Sequence, residues 1–384
     1  MAERLGITRV TDTTRLDRIG IPVYCSIRPD AIPGSLCVSA GKGLRHIEAK
    51  VGAVMEGIEM ALGEYGRSPV TSFPATPRDV FDGATRPDAI LDFCPRLETR
   101  IPLDLPIECV EAEEIFSGTR SAIPAELVFI PYRQMHGGTS LFGASSNGLA
   151  SGNTLNEATL HGLAEVVERD INSFHLAKDY SRLVLPESCP PHIRDIFEKV
   201  AAAGLVLHLR YRPNPFGLPH FSAAISDPDH EDPLFVNGGT ACHLSPSISA
   251  VRTVCEAVQS RLSFIHGGRD DLVDRHRRYA RLTAAERLKR ARRTVGNYAR
   301  ATDAIAFDDI PDQTPSDPTI EACLERFREL LALEGIHHVF RVVLSSPDDP
   351  VLIVKIVVPG LEAFSEVNAR VGRRLRDYVK NIVK

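Results

Sequence analysis

Residues 144–170, ASSNGLASGNTLNEATLHGLAEVVERD, run from small polar residues straight into an amphipathic helical pattern. Gly148, Gly152 and two asparagines mark the first part as a loop, read over 137–153. The second part predicts a helix from about Asn156 to Ala177. Thr154 is its N-cap, and Glu157 follows three positions on, the spacing of a capping box. At 3.6 residues per turn, Glu157 and Glu168 are separated by about 20° around the axis. Glu165 falls between about 60° and 80° from each of them. His161 is one turn from Glu157 and one turn from Glu165. Three carboxylates and an imidazole therefore share one side of a helix, while Leu160, Leu163, Val166 and Val167 cover much of the rest.

The theme recurs on two other stretches. From Leu44 to about Tyr65 an apolar stripe of Val51, Val54, Met55, Ile58 and Leu62 predicts a helix. Glu48, Gly52, Glu56, Glu59 and Gly63 form a second stripe along it, whose glycines permit close approach at a cost of about 1 kcal/mol each. A third helix is predicted over 247–265, with Glu256 and Gln259 one turn apart. Gln259 and Arg261 are about 200° apart, so one can meet a ligand while the other holds a neighbouring element.

Glutamates along a helix are most often a solvated face. Glutamates converging in a cleft need a counter-charge, and Mg²⁺ accepts carboxylate oxygens while keeping waters and substrate phosphates as its other ligands. Acidic helices preceded by Gly/Ser/Asn loops suit a metal–nucleotide site, with loop amides and hydroxyls on phosphate and Arg169 neutralising charge. A Walker A sequence is absent, since Gly41-Lys42-Gly43 is too short and lacks the following Ser/Thr.

The chain of 384 residues, 43% hydrophobic and 25% charged with net charge −5, can bury a substantial core. Its charge balance gives no support to non-specific nucleic-acid binding. No apolar run approaches the roughly 18 residues of a membrane span, and MAERLGITRV lacks a signal-peptide core. A cytoplasmic protein is the default expectation. The eight cysteines form no Cys-x-x-Cys pair and are read as mostly buried small apolar residues.

Strands are expected at IPVYCSIRP (21–29), GSLCVSA (34–40), ELVFIPY (126–132), GLVLHLRY (204–211) and HFSAAISD (220–227). Residues 66–105 read as loops with short elements, GGTACHLS (238–245) as a loop, and 272–303 as a charged helical stretch. DPDHED (227–232) and DDIPDQTPSDP (308–318) read as surface segments. Beyond them, a helix at 318–334, strands at 338–345 and 351–357, and a basic terminal helix predict a small unit, 318–384, that packs on or completes a body of residues 1–317. No internal repeat is apparent.

With these segments in view, the chain resembles the YcaO family of ATP-dependent enzymes that modify peptide backbone amides. The resemblance is carried by Gly41-Lys42-Gly43, Met55-Glu56-Gly57-Ile58-Glu59, SNGLASGNTLNEATLHGLAEVVERD (146–170), EAVQSRLSFIHGGRDD (256–271) and PGLEAF (359–364). It implies an α/β (α+β) fold of mixed sheets packed with helices, and ATP held with Mg²⁺ between glutamate-bearing helices. On this sequence the metal positions are Glu56, Glu59, Glu157, Glu165 and Glu168. The nucleotide positions are Lys42, Glu59, Asn153, Glu165, Arg169, Gln259 and Arg261. Arg169, Glu168 and Gln259 carry the chemistry. The family's usual serine four residues before Glu56 is Gly52 here, which removes one hydroxyl contact.

The implied reaction adds a nucleophile to a backbone amide carbonyl, whose oxygen then takes the γ-phosphoryl group of ATP and leaves as phosphate. A neighbouring Cys, Ser or Thr gives an azoline, whereas sulfide from a donor gives a thioamide. Family cyclodehydratases commonly end in a proline-rich tail, and this chain ends RLRDYVKNIVK with no proline after Pro359. That favours thioamide formation in a ribosomally made peptide or protein, with a TfuA-like partner or a sulfur donor. The alternatives are an azoline-forming cyclodehydratase and a non-catalytic scaffold. A homodimer agrees with the resemblance. Cys37 and Cys242 are considered as sulfur carriers, with buried packing as the plainer reading.

Overall fold

A computed structural model describes residues 1–80, 89–132, 140–365 and 368–383. Three sheets make up the strand framework. The first is an antiparallel meander of β1 (Arg9–Asp12), β2 (Val23–Ile27) and β3 (Val38–Lys42), with β3 at its edge. Helix α1 (His46–Gly63) follows directly. Residues 66–105 contain only β4 (Phe73–Ala75), α2 (Pro77–Val80) and a turn of 3₁₀ helix among their described positions.

The second sheet has the order β4, β5 (Ile107–Glu114), β13 (Phe340–Val343), β14 (Leu352–Val357), β7 (Leu149–Gly152), with β6 (Arg120–Pro124) paired to β5. β7 is its edge and runs into α3 (Leu155–Ala177). Two strands from the last fifty residues thus lie in the middle of this sheet. Helix α8 (Ile320–Leu333) delivers the chain to them and packs Phe327, Leu330 and Leu331 against the apolar side of α3.

The third sheet reads β11 (Val236–Cys242), β10 (His220–Ser226), β9 (Val206–Tyr211), β8 (Arg182–Val184), β12 (Ala304–Ile305), with β11 at the edge. α4 (Pro191–Ala202) and α5 (Pro246–His266) supply the core on one side of it, where Leu209, Phe221, Val254 and Val258 are fully buried. α6 (Val273–Ala280) and α7 (Ala284–Ala299) follow, and α9 (Arg373–Val383) closes the chain.

Each sheet therefore ends in an edge strand that turns within a few residues into a long helix: β3–α1, β7–α3 and β11–α5. A glycine in each strand lets its helix lie close. A Cβ on Gly41 would sit 2.1 Å from Ala49 O and Ala53 N, one on Gly152 2.4 Å from Ala158 N, and one on Gly239 2.4 Å from Thr253 O. These contacts correct two expectations. Gly41 and Lys42 belong to β3 instead of a turn, and GGTACHLS is mostly strand, because Gly239 serves helix packing and not loop flexibility.

Other differences have local causes. ELVFIPY is not a strand. Glu126 turns inward and its carboxylate collects the amide N–H groups of Leu141, Phe142 and Gly143, leaving a 3₁₀ turn at Ala125–Leu127. Of the loop read at 137–153, residues 137–139 lie outside the described residues, while 149–152 form β7. Val51 is half exposed, since α1 rests on β3 through Ala49 and Ala53. The stretch 272–303 divides into α6 and α7, where Thr283 and Glu286 form a full capping box. At α3 the box is replaced: Thr154 accepts from Glu157 N, but Glu157 accepts from Asn153 N.

Candidate functional site

The three β–α units carry the same polar signature. Glu56, Glu165 and Glu256 are each the eleventh residue of their helices, and Glu59, Glu168 and Gln259 each the fourteenth. The fourteenth residue always reaches the edge strand of the next unit. Ser151 Oγ on β7 donates to Glu59 Oε1 at 2.5 Å. Thr240 Oγ1 on β11 donates to Glu168 Oε1 at 2.6 Å. Gln259 Nε2 donates to Ala40 O on β3, which closes the ring. On β7 and β11 the helix carboxylates hold strand hydroxyls, whereas on β3 the helix side chains satisfy edge backbone groups that would otherwise stay unpaired. Ala40 N also donates to Glu56 Oε2 at 2.6 Å.

Cations are interleaved with these carboxylates. Arg169 Nη1 and Nη2 lie 3.2 Å from Glu168 and 3.4 Å from Glu165, and Lys42 Nζ is 3.0 Å from Glu256. Desolvation pushes Glu59 up to about 8, with Glu56 and Glu165 adding repulsion. It pushes Glu168 up to about 7, against the pull of Arg169. Glu56 is raised by the same cause, partly offset by Arg269. Glu256 goes the other way: burial raises it, yet Lys42 and Arg169 outweigh that and hold it below the ordinary value. The cluster carries more carboxylate than its cations neutralise, so it favours an added positive charge.

The expected residues separate into groups. Glu56, Glu59, Glu165, Glu168, Arg169, Lys42 and Gln259 gather around the ring. Asn153 and Glu157 sit at its rim, where the Asn153 amide and side chain donate to Glu157 over 2.9–3.3 Å. Arg261 departs from the set: it faces another side of α5, donating to Asp17 at 3.0 Å and lying 3.9 Å from Asp227. His161 is exposed and meets Arg252 at 3.1 Å. Cys242 is buried with a thiol pushed well up by desolvation, and Cys37 is raised by burial and Asp270. All eight cysteines are free.

Four contributors escaped the sequence reading. Ser151 and Thr240 are short hydroxyls in strands, without a pattern of their own. Arg269, held by Asp271 at 2.9 Å, faces Glu56 and was legible only as a cation after two glycines. Lys355 interrupts the apolar run VLIVKIVV. It is buried, donates to Ser145 O at 2.6 Å, and is pushed down to about 7 by desolvation although Glu165 opposes this. Beyond Thr240, Asn172 lies 3.4 Å from its hydroxyl and accepts from Arg212. His220, wholly buried beside Arg212, has neither ring nitrogen hydrogen-bonded among the described residues.

Hard oxygen donors with interleaved guanidinium and ammonium groups have the chemistry that a metal-bound polyphosphate requires. Among the described residues no three His, Cys, Asp or Glu side chains form a finished cage, so an ion would share its coordination with ligand or water oxygens. The model of the YcaO cyclodehydratase family, ATP- and Mg²⁺-binding, matches residues 40–362. The chain belongs to the YcaO family, whose cofactors are ATP and Mg²⁺ and whose members are ATP-dependent peptide-modifying enzymes.

A protein of Methanothermobacter thermautotrophicus is 36% identical over 380 residues, covering 98% of this chain and 94% of its own. A protein from the tfuA 3′ region of Rhizobium leguminosarum bv. trifolii is 32% identical over 368 residues, covering 93% and 84%. The structure of YcaO from Methanopyrus kandleri bound with AMPPCP and Mg²⁺ superposes with a TM-score of 0.75 at 24% identity, over 97% of this chain and 90% of that one. That likeness establishes the α/β fold with its mixed sheets.

Proposed function

We propose that this protein activates a backbone amide of a ribosomally made peptide or protein and converts it to a thioamide with sulfur from an external donor. The observation that carries the reading is the ring of three acid-bearing helices, in which carboxylates outnumber the cations beside them. ATP with Mg²⁺ would supply the phosphoryl group that turns the amide oxygen into a leaving group. Glu56, Glu59, Glu165 and Glu168 would offer the metal its oxygens, with Glu157 at the rim. Lys42, Asn153 and Arg169 would face the nucleotide, and Arg169 would neutralise charge on the transferring group.

Gln259 acts by holding the Ala40 carbonyl, which fixes α5 against β3. Arg261 is assigned a structural role in this account. Thioamide formation draws support from the relative in the tfuA 3′ region, which suggests a TfuA-like partner, and cytoplasmic residence belongs to the same proposal. Azoline formation is the second reading, favoured by the cyclodehydratase description of the family.

Mass spectrometry of candidate peptides co-expressed with the protein and its neighbouring genes separates the two. Replacement of oxygen by sulfur raises the mass, and azoline formation lowers it by one water. A product lighter by water would overturn the thioamide assignment. An unmodified peptide in the presence of bound nucleotide and partner would favour the scaffold.

A further inference from the structure

We infer that the paired helices α6 and α7 form a docking surface for an acidic segment of the peptide substrate. This rests on the reading of the protein as a peptide-modifying enzyme. Residues 273–300 hold ten Lys/Arg and two Asp/Glu, a local charge of +8, leaving 35 basic and 48 acidic residues, or −13, in the rest of the chain. Eight of the ten cations are exposed. Such a concentration on short helices carries a repulsive cost, since like charges one turn apart, such as Lys289 and Arg293, weaken a helix.

The compensation runs along the protein-facing side. Arg287 and Arg292 pair with Asp232 and Glu231 at 2.5 and 2.7 Å. Arg275 and Arg290 cover the buried Tyr279 ring at 5.7 and 5.5 Å. Arg281, Lys289 and Arg293 point outward with no acidic partner among the described residues. They present unpaired cations that guanidinium and ammonium groups would offer to carboxylates.

The surface is also linked to the acidic ring through the chain and through hydrogen bonds. α6 begins four residues after Arg269, which faces Glu56. At the far end, Arg210 donates to Tyr298 O and Arg300 O at 3.0 and 2.7 Å, which ties the end of α7 to β9. Arg212, just past that strand, links through Asn172 and Thr240 to Glu168. The helix that would hold the peptide is thus tied by hydrogen bonds to the strands that carry the proposed site. Peptide is favoured over single-stranded nucleic acid because the aromatic rings of α6 and α7 offer bases little to stack on: Tyr279 is buried, and His276 and Tyr298 are partly buried.

The test is fluorescence anisotropy with a labelled Glu-rich peptide, a Lys-rich peptide of equal length and an oligouridylate. The full chain would be compared with the combined variant Arg281→Glu/Lys289→Glu/Arg293→Glu. The Glu-rich peptide should bind, weaken with added salt, and lose about tenfold or more in affinity in the variant. Binding untouched by the variant, no preference over the Lys-rich peptide, or tighter oligouridylate binding would overturn the proposal. So would loss of self-association in the variant without any peptide binding. Mg²⁺–AMPPCP binding, measured on the same samples, should be unchanged. Its absence in the wild type would count against the enzymatic reading separately from the docking result.

Discussion

Arg261 donates to Asp17, whose side chain is 3% exposed, and neighbours Asp227 at 4%. Removing one partner of a buried pair leaves an uncompensated charge, so Arg261→Leu should cost about 3–5 kcal/mol in a denaturant titration. The folded fraction should keep its affinity for Mg²⁺–AMPPCP, whereas a selective loss of affinity would return Arg261 to the nucleotide site. Glu59 and Glu168 make an opposite kind of statement. Their folded pKa values, about 8 and about 7, lie above the ordinary carboxylate value, so the folded state binds protons more tightly. Their contribution to stability is fully present at acid pH and is lost as pH rises through 7 and 8. The ligand-free protein should therefore lose this increment of stability from about pH 4.5, the ordinary carboxylate value, to about pH 8. Mg²⁺–AMPPCP should bind more tightly over the same range and release protons near pH 6.5. Calorimetry in buffers of different ionisation enthalpy reads that release; pH-independent affinity would contradict the assignment.

At the scale of elements, β3–α1, β7–α3 and β11–α5 depend on glycine at the strand–helix contact. Gly41→Ala would place a methyl 2.1 Å from α1 backbone atoms, and overpacking of this kind costs about 1–3 kcal/mol or more. Gly296→Ala in α7 meets nothing within 4 Å and should be neutral or stabilising by up to about 1 kcal/mol. Thermal melts of the two variants check the pair, and equal behaviour would contradict the close-packing account. The three helices were legible because each is long and carries a one-sided pattern. The acidic stripe of α3 could be read by counting residues, since helical geometry alone puts Glu165 and Glu168 together. The strands of the units were less legible: Gly41 and Gly239 look like turn residues until a helix is placed against them. The repeat was missed as well, although an acidic residue followed three positions later by Glu or Gln stands equally deep in all three helices. So short a signature is invisible to a search for repeated sequence, because the residues around it serve three different cores.

On the scale of the whole molecule, three sheets meet through their edge strands, and each helix braces the strand of the next unit. No described helix is long and apolar enough to cross a membrane. β13 and β14, from the end of the chain, complete the middle of the second sheet, a long-range pairing that local patterning does not disclose. The same limit applied to Arg269 and Lys355, which reach the acidic cluster from distant parts of the sequence. The central claim is that this ring of carboxylates holds a metal-bound nucleotide. Isothermal titration of the wild type and of Glu168→Gln with AMPPCP, with and without Mg²⁺, tests it most directly. The account predicts Mg²⁺-dependent binding in the wild type and its collapse in a variant that melts like the wild type. Binding that is absent from the folded wild type, or equal in the two proteins, would contradict it.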